Sequence, residues 1–105
     1  MAGAPNLVDD QGRRTGPWEE LFSDGKLSGD GEYSRGKLTG PWEWYRESGN
    51  PLQTGDFRDG KQEGLWNRYH PSGELMDTGR YADGKRKGEW KYYDAAGKLV
   101  RTKDH

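Results

Sequence analysis

Gly60-Lys61-Gln62-Glu63-Gly64-Leu65-Trp66-Asn67-Arg68-Tyr69-His70-Pro71-Ser72-Gly73-Glu74-Leu75 is followed 24 residues later by Gly84-Lys85-Arg86-Lys87-Gly88-Glu89-Trp90-Lys91-Tyr92-Tyr93-Asp94-Ala95-Ala96-Gly97-Lys98-Leu99, the same frame with new residues between the fixed ones. Outward from this stretch, Trp18, Trp42, Trp66 and Trp90 keep the 24-residue spacing without an insertion or deletion. Gly12, Gly36, Gly60 and Gly84 share the period, as do Gly16, Gly40, Gly64 and Gly88 and then Gly25, Gly49, Gly73 and Gly97. The chain therefore divides into four units, 12–35, 36–59, 60–83 and 84–105, behind an N-terminal cap over 1–11. A fixed period of this length marks a repeat array, in which each unit buries its apolar face only against its neighbours. Function is then expected on the stacked surface rather than in a catalytic pocket.

Within a unit, Gly40-Pro41-Trp42-Glu43-Trp44-Tyr45 has the aromatic content of a strand and is followed by a turn at Glu47-Ser48-Gly49-Asn50. Next comes an alternating run, with Leu27, Gly29, Gly31 and Tyr33 on one face and Ser28, Asp30, Glu32 and Ser34 on the other. A second turn, Ser34-Arg35-Gly36-Lys37, leads into the next tryptophan strand. Turn glycines alternate at spacings of 13 and 11 residues, which predicts an all-β fold. Its four β-hairpins form an elongated antiparallel meander of about eight short strands. Glycine every few residues disfavours helix, at about 0.8–1.0 kcal/mol each. Pro51 replaces an expected leucine, so its strand is expected to start late or to bulge. Lys85-Arg86-Lys87 is expected in a solvated turn.

Only 29% of the 105 residues are hydrophobic, too few aliphatics to offset chain entropy unless the five Trp, six Tyr and two Phe form the core. The expected scaffold is Trp18, Trp42, Trp66 and Trp90 with Tyr33, Phe57 and Tyr81, and a second stripe of Tyr45, Tyr69 and Tyr93 headed by Leu21. Trp42 and Tyr45 are three apart and so face opposite sides of a regular strand. The second stripe is either packing or an exposed binding surface.

A net charge of −1 with interleaved acids and bases argues against nucleic acid and against an anionic membrane. The chain has no cysteine, and its only histidines are His70 and His105, the latter expected in a frayed tail. No metal site, cofactor or catalytic residue is expected. The first residues lack the apolar stretch of a signal peptide, no segment has the composition of a membrane helix, and a cytoplasmic protein is the expectation.

The frame Gly-Lys-x-x-Gly-x-Trp-x-x-Tyr-x-x-x-Gly-x-Leu-x-x-x-Gly-x-Tyr, clearest in the two stretches quoted, resembles the MORN repeat family in the bacterial variant found in YwqK-type antitoxin proteins. It covers about residues 12 to 103, with Arg13 and Leu21 departing from it in the first unit. The resemblance implies stacked hairpins, no enzymatic activity and protein–protein contact, with a toxin among the partners. In a repeat array the residues that break the beat are free to be functional. The candidates are Trp44, Arg68 and Tyr92, two residues after the repeat tryptophan, and Phe22, Arg46 and His70, four after it. Three readings follow: a protein-binding antitoxin or immunity module, a carbohydrate or choline binder, and a self-assembling element that forms a homodimer through its terminal strands.

Overall fold

The computed structural model describes residues 4–105. Residues 1–3 of the expected cap lie outside the described residues. The chain forms one antiparallel sheet in sequential order. The strands are β1 (Leu7–Val8), β2 (Arg14–Leu21), β3 (Leu27–Ser34), β4 (Lys37–Tyr45), β5 (Pro51–Arg58), β6 (Lys61–Tyr69), β7 (Leu75–Ala82), β8 (Lys85–Tyr93) and β9 (Leu99–Asp104). The meander is as expected, with one more strand because Leu7 and Val8 of the cap pair with Thr15 and Arg14.

Two turn types alternate along the chain. Ser34 pairs with Lys37, Arg58 with Lys61 and Ala82 with Lys85, so each of these hairpins closes with a two-residue loop. Both loop residues have positive φ, as in Arg35 (51°) and Gly36 (78°), the geometry whose twist matches the flanking strands. The other turns span three residues. Phe22 N–H donates to Lys26 O at 2.8 Å and Gly25 N–H to Phe22 O at 2.9 Å, and the arrangement recurs at Arg46, His70 and Asp94.

The tryptophan strands β4, β6 and β8 each bulge against the strand before them. Asp30 pairs with Glu43 but Glu32 with Thr39, so Gly31 alone faces Gly40, Pro41 and Trp42. Gly40 (φ 67°) makes the bend. The bend lays the Trp42 ring flat on Gly31, where a Cβ would stand 2.1 Å from the indole, and Trp66 lies likewise on Gly55 and Trp90 on Gly79. The three rings are 1–3% exposed. Their N–H groups donate to the carbonyls of Glu32, Asp56 and Arg80 at 3.0–3.2 Å, so burial leaves no indole donor unsatisfied. Between them stand Tyr33, Phe57 and Tyr81, which meet the tryptophans edge to face at centroid distances of 5.1–6.5 Å. This one ladder is the core.

Three expectations are corrected. Lys85-Arg86-Lys87 lies in β8, not in a turn, and Arg86 stacks over Trp90 at 4.6 Å. β5 starts at Pro51, level with Leu27 and Leu75, so the strand does not start late; the register shift is there, at Tyr45, but Leu21, Tyr69 and Tyr93 show the same one, so Pro51 is not its cause. His105 is not frayed. It exchanges two backbone hydrogen bonds with Gly88, and its ring lies 6.1 Å from Trp90, in the place Tyr33, Phe57 and Tyr81 hold in the earlier units.

The sheet ends are finished by residues that break the beat. Asn6 (φ 64°) turns its side-chain amide onto β2, donating to Glu19 O at 2.8 Å and accepting from Glu19 N–H at 2.7 Å, as a neighbouring strand would. At the other end Lys103, paired with Trp90, occupies the position held by Gly31, Gly55 and Gly79, so no further tryptophan can lie flat on β9 there.

Candidate functional site

Directly opposed residues in an antiparallel sheet share a face, so the register itself assembles the off-beat residues. Glu20, Gly29, Trp44, Gln53, Arg68, Asp77, Tyr92 and Arg101 form one continuous row from β2 to β9, on the same face as the tryptophans. Trp44 stacks on Trp42 (5.6 Å, 24°) and tilts against Trp66 (5.7 Å, 30°). It does so only because Gly29 lies beneath it, where a Cβ would come within 2.9 Å of the ring. Arg68 makes a forked hydrogen bond to Asp77, whose carboxylate is 1% exposed. That bond raises the Arg68 pKa further, so the guanidinium stays charged. Tyr92 accepts a hydrogen bond from Arg86 at 3.0 Å and carries the Arg101 guanidinium 4.5 Å above its ring. Trp44, Arg68 and Tyr92 thus stand together as a half-open row of aromatic and guanidinium groups.

The second set does not join them. Arg46 Nη2 donates to Tyr69 O at 2.9 Å and His70 Nε2 lies 2.8 Å from Tyr93 O, equivalent bonds that tie the second unit to the third and the third to the fourth. Asp94, in the same place, accepts from the N–H groups of Ala96 and Lys98 within its own turn. Phe22 opens the first of these turns and is half-buried. Arg46, His70 and Phe22 stand at the turn margin, apart from the inner row.

The opposite, outer face carries a feature that the sequence reading missed. Glu19 and Glu43 oppose Asp30 from its two sides, and the row continues through Thr54, Asn67, Thr78, Lys91 and Thr102. Tyr45 shares this face and donates its hydroxyl to Glu43, which raises the tyrosine pKa. Burial, and then the charges of Glu43 and Glu19, push the Asp30 carboxyl up, and its Oδ1 is buried without a hydrogen-bond partner. The period held the signal, since positions 19, 43, 67 and 91 run Glu, Glu, Asn, Lys.

The family model described as "MORN repeat variant" matches residues 38–59, 62–85 and 86–104. No curated protein matches the chain. Among solved structures, a chain of a GtfA/B complex bound to UDP and GlcNAc is similar at 17% identity and a TM-score of 0.43, over 79% of this chain and 21% of that one. The protein thus spans about a fifth of that chain's length.

Proposed function

Because the chain belongs to the MORN repeat variant family, whose stacked hairpins generally serve as binding modules, we propose that it is a non-catalytic protein-binding module whose contact surface is the inner row centred on Trp44, Arg68 and Tyr92. The observation that carries this reading is the register. Side chains of the types enriched at binding hot spots fall in one row, on alternate strands of three successive units, where the repeat itself asks for none of them. Trp44 is only half-buried and the Arg68 side chain is 46% exposed, so both offer area to a partner. Gly29, Asp77, Arg86 and Arg101 contact the members of the row within the chain, and a surface already ordered loses less entropy on binding.

Within this reading the partner class is a toxin that the module occludes, in the manner of YwqK-type repeats, which sets both proteins in the cytoplasm. The test is capture from source lysate on immobilised protein, wild type beside a Trp44→Glu/Tyr92→Ala variant. Trp44→Glu introduces the residue type that Glu20 supplies opposite the same Gly29, so the scaffold accepts it. Arg68 is kept, because its removal would strand the buried Asp77 carboxylate. A stoichiometric protein captured by the wild type and lost with the variant is the expected result, and co-expression should then suppress that protein's toxicity. Equal capture by both refutes the inner row as the site.

A further inference from the structure

The outer face repeats one groove twice with its charge inverted. In the first two units the groove is lined by Pro17, Glu19, Asp30, Glu32, Pro41 and Glu43 and encloses about 300 Å³. Two units further on, the same positions are Leu65, Asn67, Thr78, Arg80, Glu89 and Lys91. There a groove of about 320 Å³ is lined by Leu65, Thr78, Arg80, Glu89 and Lys91, with Lys87 beside them. Among the described residues, the carboxylates of the first groove have no cation as a partner. Glu19 and Glu43 stand opposite Asp30 on its two sides, Asp30 Oδ1 is buried without a partner, and none of the four carboxylates belongs to an ion pair among the described residues.

We infer that the outer face binds a second copy of this chain, the acidic groove of each protomer seated on the basic groove of the other. β5 is the middle strand of the sheet, and a two-fold axis parallel to it turns one outer face onto another and exchanges β2 with β8, β3 with β7 and β4 with β6. Glu19 then meets Lys91 of the copy, Glu32 meets Arg80, and Pro41 meets Leu65, which is 47% exposed in the single chain. An isologous contact of this kind uses both grooves at once. Asp56 and Arg58 of β5 lie on the axis and meet their own counterparts, and Lys37 meets Lys61, the like-charge contacts of the arrangement. The sheet's two longer extents, 48 and 33 Å, leave room for the ~800 Å² per partner of a standard interface. The inner row is left free.

The terminal strands suit a second copy less. An antiparallel β9 pair centred on Thr102 would set Arg101 against Lys103 of the copy, like charges on one face, and β2 is already covered by β1 and the Asn6 amide.

Light scattering and sedimentation equilibrium on the full chain test the arrangement. The wild type should be dimeric at millimolar concentration in low salt, with a dissociation constant that rises at least about tenfold in high salt. Glu19→Lys/Glu32→Arg and Arg80→Glu/Lys91→Glu should each be monomeric, and an equimolar mixture of the two should restore a one-to-one dimer. All four side chains are exposed, so the reversals leave the aromatic ladder intact. Asp56→Asn, nearly isosteric, should tighten the dimer. A wild type that stays monomeric in low salt overturns the inference, as does a dimer that survives both reversals.

Discussion

At the scale of the residue, the molecule is held by a flat contact between a tryptophan and a glycine on the preceding strand. Gly31→Ala would drive a methyl into the Trp42 ring, and unfolding in urea should show a loss of about 3 kcal/mol or more. Gly29→Ala should cost less, because Trp44 is only half-buried and can swing away, and the cost should vanish in a Trp44→Glu background. The beat of the tryptophans was legible from the chain alone. The reason for glycine at 31, 55 and 79 was not, because it lies in a side chain from one strand resting on the backbone of another. Asp30 belongs to this scale too. Its raised pKa means the folded chain holds the proton more tightly than the unfolded one, so stability is lost as pH rises from the ordinary carboxylate range to the raised value. Asp30→Asn should therefore melt higher than wild type at neutral pH, and no higher in acid below the ordinary carboxylate pKa.

At the scale of the element, turn chemistry explains why the meander could be read so fully. Glycine at a fixed place in each turn signalled the hairpins, and the structure supplies the positive φ that demands it. Arg35 adopts φ 51° with a side chain ill suited to it, whereas Asn tolerates this region. Arg35→Asn should stabilise the chain by about 0.5–1 kcal/mol in a denaturant titration, with no change in oligomeric state. Other features escaped because no single strand encodes them. The bulges at Gly40, Gly64 and Gly88 are defined against the preceding strand, and the cap at Asn6 works through a side-chain amide that imitates backbone. His105 was within reach, since the 24-residue spacing from Tyr81 places it in the ladder, but its type hid it among tail residues.

At the scale of the whole molecule, a single sheet has two faces, and this chain gives them different work. The inner face carries the aromatic ladder and, beside it, the half-open row of Trp44, Arg68 and Tyr92. The outer face carries Tyr45 and a row that passes from carboxylate to ammonium across the sheet. Alternation from Trp42 to Tyr45 was enough to separate the faces, but not to group their charges, which depends on the register between strands. Because reactive aromatics stand on both sides, the binding face can be observed directly. Hydroxyl-radical footprinting by mass spectrometry, at one fixed concentration of the chain with and without its captured partner, is the measurement that bears most closely on the proposed function. Trp44 and Tyr92 should become protected while Tyr45, Tyr69 and Tyr93 react as before. Protection of the outer tyrosines with Trp44 and Tyr92 unchanged would contradict it.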